Sequence, residues 1–366
     1  MNAPFARRME RVRSRMAEAD VDVLLLSVGA DLPWLTGYEA MPLERLTMLV
    51  APVGSRATLV VPRLEAPRVV ERPEVFDLRP WGEAEDPVAI VASLARGARR
   101  VAVADRTWAV FLLALQSQLP GAQWVRASAL TGPLRAVKDA AEIAALRAAS
   151  AAADRVAAQL LGGEIPLLGR SERDVSQDIG RRLLAEGHQK INFAIVGSGP
   201  NSASPHHEPG SRTIRPGEAV VCDFGGTMDG YCSDVTRTVW TGTPGAHERK
   251  VYRLLQSAQE AGVAAARPGV ACEQVDAAAR SVIDAGGYGE GFVHRTGHGI
   301  GLEEHEEPYI VAGNASPLVP GHAFSVEPGI YLPGRFGVRI EDIVVVGEDE
   351  PVPLNRVSRE LTVVEV

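Results

Sequence analysis

Five side chains have the types and spacing to do chemistry together: Asp223, Asp234, His298, Glu327 and Glu341. Two Asp, two Glu and one imidazole make a hard, oxygen-rich set that suits a pair of divalent first-row cations. Asp223 and Asp234 lie on the apolar, β-branched runs AVVCDF and YCSDVTRTVW, joined by the turn-forming GGTMDG, so a hairpin is expected. If its loop centres on Met228 and Asp229, Asp223 faces Asp234; if it centres on Asp229 and Gly230, the pairing slips by two residues and side-chain parity is kept. Either way both carboxylates share a face, where they repel unless a cation or a shared proton intervenes. Alone, the pair would read as solvated edge acids.

It does not stand alone. HAFSVEPGIYLPGRFGVRIEDIVVV forms a second hairpin pattern, in which a loop at Pro333, Gly334 and Arg335 puts Glu327 opposite Glu341 and leaves Arg339 two residues away on the same face. Upstream, VHRTGHGIGLEEHEEP sets His298 between glycines.

The ordered series Asp223-Phe-Gly, Ser-Asp234-Val-Thr-Arg-Thr, Thr-Gly-His298-Gly-Ile-Gly, Glu327-Pro-Gly-Ile-Tyr and Arg339-Ile-Glu341-Asp resembles the pita-bread metallopeptidases. These comprise Xaa-Pro dipeptidase (prolidase), aminopeptidase P and methionine aminopeptidase, and the resemblance spans residues 133–366. All five metal-binding positions are filled, which separates the chain from creatinase. GSGPNSASPHH, the RAVKDAAEIAALRAAS helix and the presence of a preceding domain are similar to the Xaa-Pro branch.

The resemblance implies an α/β (α+β) chain. A small three-layer, creatinase-like N-terminal domain over 1–132 would precede a pita-bread (creatinase/aminopeptidase-like) catalytic domain over 133–366. It implies two divalent metal ions per subunit, manganese foremost, with cobalt, iron or zinc compatible. Asp234 and Glu341 would bridge both ions, Asp223 would complete one, and His298 with Glu327 the other. His206, rather than its neighbour His207, matches a substrate-facing histidine. His294 and His305 match histidines lining the proline-side pocket, where they could stabilise an oxyanion or hold the substrate. Tyr331 would face the site, and Arg339 would orient the bridging carboxylate or His305. His188, His247 and His322 are left structural.

The activity implied is hydrolysis of the Xaa-Pro bond in small proline-containing peptides, by an enzyme that is a homodimer. A dipeptidase must hold the free carboxylate on proline; Arg45 is the only basic residue in DLPWLTGYEAMPLERLTM and is the candidate cation, unless it merely pairs with Glu44 or Glu39. This favours the dipeptidase over aminopeptidase P, which acts on Xaa-Pro-Yaa. A non-catalytic pita-bread binding module is the competing class, and lost ligands would be its mark.

The elements needed to position these residues are legible. An amphipathic first helix is followed by a strand in VDVLLLSV, a loop in DLPWLTGY and a strand pair in RLTMLVAP and ATLVVP. A helix over 87–96, a strand over 101–105, a helix near 107–119 and a strand in AQWVRA complete the first domain. Gly132 and Pro133 are expected to break the chain before an alanine-rich helix headed by the Asp139/Glu142 capping box. Further helices are expected over 171–186, 246–266 and 271–285.

A formal charge of -8 gives no support for nucleic-acid or anionic-membrane partners. No apolar run reaches a membrane span. Cys222, Cys232 and Cys272 show no metal or disulfide spacing and read as packing residues in a reducing cytoplasm.

Overall fold

The structure, a computed structural model, describes residues 3–364. It divides into two units, one ending at Arg135 and the other beginning at Ala136.

The first unit is built on a six-stranded sheet with the order Phe76–Trp81, Ala57–Pro62, Met48–Pro52, Val23–Leu26, Arg100–Val103, Gln123–Arg126. Strand alternation decides its core. Val23 and Leu25 pack with Val50, Val101, and Val88 and Val91 of the helix Pro87–Leu94. Leu24 and Leu26 point to the opposite face and are also buried.

Three local expectations fail here for physical reasons. DLPWLTGY is not a loop, because Asp31–Thr36 is a short helix with Pro33 in its first turn, where a missing N–H costs nothing, and with Leu32, Trp34 and Leu35 buried. Phe76–Trp81 is an unanticipated strand; as the sheet's edge it tolerates Pro80 and charged residues. Nor do Gly132 and Pro133 break the chain, since the helix Ser128–Ala136 runs through both. The break comes at Val137, which bridges to His322, and the next helix, Ala140–Leu161, starts from the expected Asp139/Glu142 capping box.

The second unit repeats one arrangement, a helix pair on a sheet. Ala140–Leu161 and Glu172–Ala185 cover the sheet of Thr362–Val363, Val235–Trp240, Ala219–Met228 and Lys190–Ser198 through Val156, Leu160, Val175 and Ile179. Ala246–Ala265 and Cys272–Ala285 lie against the elements that follow, among them the sheet of Glu306–Ile310, Gly297–Gly299, Ala323–Val326, Asp342–Val346 and Pro351–Pro353. All three cysteines are buried and free.

Arg237 locks the two sheets behind the acidic set. Its buried guanidinium donates to Asp342 at 2.8 Å, to the Glu341 carbonyl at 2.7 Å and to the Ser358 and Val357 carbonyls. Removing one partner of such a pair strands the others, so Arg237→Ala is expected to lower stability by about 3–5 kcal/mol in denaturant unfolding. A loss under about 1 kcal/mol, the range of an exposed pair, would contradict this.

Candidate active site

The first hairpin takes the second of its two registers. Asp229 and Gly230, at φ 48° and 85°, make the two-residue turn, and Asp223 pairs with Thr236. Thr236 in turn bridges to Glu341, and Asp223 pairs on its other side with Ile195. Ile195, Asp223, Thr236 and Glu341 therefore form a row across three strands and an isolated bridge, with Asp234 two residues from Thr236 on the same face.

The second hairpin has the expected loop, and Gly329 pairs with Arg339. Beyond it Val326 pairs with Asp342 in the same register, so Glu327 and Glu341 face each other in the gap between two ladders. His298 sits in a short strand at a bulge. Its flanking glycines are required by close backbone approach: a Cβ on Gly297 would lie 1.8 Å from the Ser325 carbonyl oxygen, and one on Gly299 2.2 Å from that of Glu307.

These elements bring all five residues to the wall of one cavity of about 470 Å³, together with His206, His294, His305, Arg295, Glu304, Phe193 and Ile195. Ligand atoms of Asp234, His298 and Glu341 lie within 4.8 Å of one another. Glu327 Oε1 is 3.3 Å from His298 Nε2, and Asp223 Oδ2 is held at 2.6 Å by Arg339 Nη2.

Burial first, then the neighbouring carboxylates, pushes Asp234 and Glu341 well above the usual carboxylate range. Burial also drives His298 down to about 3, which keeps its imidazole neutral and able to ligate. Four acids set beside the Arg339 and Arg295 guanidiniums still carry excess negative charge when ionised, which a further cation would offset. Asp223 Oδ1, Asp234 Oδ1 and Glu341 Oε1 are buried without a hydrogen-bond partner, as oxygens that wait for a metal would be.

The remaining predicted residues separate. His206 lines the cavity, whereas His207 turns away to Glu172 at 2.8 Å. The ring of His305 lies against that of His298, tilted by 55° with centroids 3.9 Å apart. Both ring nitrogens of His294 are engaged, Nδ1 with the Arg295 carbonyl and Nε2 with the Tyr331 hydroxyl, and burial lowers it to about 4. Tyr331 is 3% exposed and lies behind the cavity wall, its hydroxyl held between His294 and Arg339. Arg339 grips Asp223 and Tyr331, not His305, and reaches Glu341 only through Thr236, which donates to Glu341 Oε2 at 2.7 Å. Arg339 precedes Glu341 by two residues on the same segment, and its long side chain reaches past Thr236 to Asp223 on the next strand. In the first unit, Arg45 pairs with Glu44 at 2.5 Å and Glu83 at 3.0 Å.

Sequence reasoning missed Thr236, Ser325 and Arg295. Thr236 follows from the slipped register. Ser325 donates to Glu327 at 3.1 Å and accepts the His298 N–H. Arg295 directly follows His294, and its guanidinium lies over the Tyr309 ring.

Residues 140–348 match metallopeptidase family M24, and residues 8–137 match the creatinase/prolidase N-terminal domain. The chain belongs to metallopeptidase family M24. It is 47% identical to a probable dipeptidase PepE of Mycobacterium tuberculosis, over 99% of this chain and 97% of that one. It is 33% identical to an Xaa-Pro dipeptidase of Lactobacillus helveticus, over 98% and 99%. The crystal structure of dipeptidase PepE from Mycobacterium ulcerans superposes with a TM-score of 0.92 at 46% identity, covering 100% of this chain and 99% of that one. The mixed α/β fold, with its N-terminal domain and pita-bread catalytic domain, is therefore that of an M24 hydrolase, a family that implies divalent metal ions. The orphaned oxygens fit that requirement.

Proposed function

We propose that the protein is an Xaa-Pro dipeptidase. The observation that carries this reading is the convergence of the five-residue ligand set, His206, His305 and Arg295 on one cavity. Two divalent ions, manganese foremost, held by Asp223, Asp234, His298, Glu327 and Glu341 would supply a water-derived nucleophile at neutral pH and polarise the scissile carbonyl. Around them the chain's own groups have separate tasks. His305 and His206 donate to the carbonyl oxygen as charge develops on it. Glu327, raised by burial, takes a proton and returns one to the departing proline nitrogen. Arg339 and Thr236 hold Asp223 and Glu341 in place, and Tyr331 holds His294 against the wall. A dedicated site is needed because proline makes the scissile bond a tertiary amide without an N–H.

Product length depends on what meets the proline carboxylate. Arg295 is the guanidinium in the cavity, while Arg45 has its pairing with Glu44 and Glu83. Wild type is expected to cleave an Xaa-Pro dipeptide faster than Xaa-Pro-Yaa. Loss of one charged hydrogen bond predicts that Arg295→Ala raises the dipeptide KM about tenfold or more, with a smaller change for the tripeptide. Comparable or faster tripeptide cleavage by wild type would make the protein an aminopeptidase P instead. A KM that moves in Arg45→Ala and not in Arg295→Ala would return the carboxylate to Arg45.

The assembly proposed is a homodimer. The helix Ala109–Gln118 supports it, since Val110 and Leu113 are each 62% exposed and Trp108 at its start is 39% exposed. A cytoplasmic location is in keeping with three free buried thiols, and no helix among the described residues is long and apolar enough to cross a membrane.

A further inference from the structure

We propose that Glu172 is a positioning residue for His206, acting through His207 and the segment that carries both histidines. Glu172 is the first residue of the helix Glu172–Ala185, and its side chain is wholly buried. No metal ligand touches it. It collects four donors from a single segment: the Ser198 N–H at 2.8 Å, the Ser198 hydroxyl at 2.8 Å, the Asn201 amide at 3.1 Å and the His207 ring Nε2 at 2.8 Å. Burial raises this carboxyl, but the bonds from His207 and Ser198 outweigh it and hold Glu172 below the usual range.

Such a carboxylate does more than satisfy a helix end. The strand Lys190–Ser198 delivers the chain to the cavity rim, and the short helix Gly199–Ala203 turns it. A second turn over Ser204–His207 follows and carries His206, which is exposed. Ser202 is fixed by the Gly337 N–H, so the early part of the segment is anchored twice. Near His206 the side-chain anchor is His207, whose ring points away from the cavity to Glu172. Ser204–His207 is closed as a turn by the His207 N–H donating to the Ser204 carbonyl at 3.2 Å, so pinning the His207 ring to Glu172 fixes the turn from which His206 reaches the cavity. Arg212 extends the clamp, donating to Ser198 at 2.6 Å and to Glu218 at 2.8 Å.

This inference rests on the reading of His206 as a substrate-facing donor. It adds that the donor's geometry is set by a buried carboxylate outside the ligand set. A misplacement of about 1 Å can cost up to about 10²-fold in rate. Glu172→Gln and His207→Ala are therefore each expected to lower kcat/KM on an Xaa-Pro dipeptide by about 10- to 100-fold, with metal content unchanged. His207→Gln, which retains an N–H donor, should recover most of the loss.

The deciding comparison is the double variant. If Glu172 acts through His206, Glu172→Gln adds no further loss to His206→Ala. Multiplying losses, or a Glu172→Gln enzyme with wild-type kinetics, would overturn the proposal. His207→Ala lies in a half-buried position and covers the case in which Glu172→Gln fails to fold. Hydrogen exchange over residues 198–207 reads the clamp without any substrate: protection should fall in Glu172→Gln and His207→Ala, and unchanged protection would also overturn it. Failure of the Xaa-Pro reading appears separately, as absent hydrolysis by wild type whose segment is still protected.

Discussion

Asp234→Asn and Glu341→Gln should each reduce hydrolysis by about 10³-fold or more, lose bound divalent metal and remain folded. Metal catalysis supplies several kcal/mol of transition-state stabilisation, and each 1.36 kcal/mol is a factor of ten. Both residues belong to the group whose ligand atoms lie within 4.8 Å, and each carries a buried oxygen without a partner. Loss of activity alone would not separate a ligand from a structural acid. Stability does. In metal-free protein Asp234 sits among Glu341, Asp223 and Glu327, and these like charges oppose its ionised form. Replacing one of them with a neutral amide of similar shape relieves that repulsion, so metal-free Asp234→Asn is expected to melt above metal-free wild type. With metal added the order should reverse, because wild type gains binding energy that the variant cannot. Elemental analysis beside thermal unfolding, with and without chelator, measures both. Full metal occupancy in an inactive variant, or a lower metal-free melting point, would contradict the ligand assignment.

How far the site could be read beforehand follows from what fixes each residue. The convergence of the four acids and His298 on one cavity was legible because acids and an imidazole are chemically distinctive, and because strand parity holds in either hairpin register. The register itself depended on where positive φ falls, and Asp229 with Gly230 decided it. The supporting residues were harder. Thr236 has meaning only as the neighbour of Asp223 and Glu341 across two strands, and Ser325 only because its hydroxyl meets Glu327 and His298. Both are ordinary strand residues in the chain. Arg339 was placed on the correct face, but its direct contact with Asp223 was not anticipated, since the sequence separates them by 116 positions while the sheet brings them to 2.6 Å. In the N-terminal unit, Asp31–Thr36 was misread because a proline and a glycine in a short stretch suggest a loop. Three buried apolar side chains supplied the packing that made it helical.

The histidines that line the cavity are expected to differ in kind. His305→Ala should lower turnover by about 10²–10³-fold with metal content intact, the scale for removing one donor to a developing oxyanion. His305 is exposed to the cavity, lies tilted against His298 and has no side-chain carboxylate hydrogen-bond partner among the described residues. Burial followed by the charge of Arg295 lowers its pKa, so near neutrality the ring is uncharged and offers one N–H. His294 differs, because both of its nitrogens are committed to Arg295 and Tyr331. Its removal would free the Tyr331 hydroxyl and loosen the Arg339 grip on Asp223, so His294→Ala should weaken metal retention as well as turnover. The paired measurement is turnover on an Xaa-Pro dipeptide beside metal content for each variant. Near-native turnover in His305→Ala would remove it from the catalytic reading. Equal metal loss in both variants would mean that His305, like His294, supports the ligand set instead of meeting the substrate.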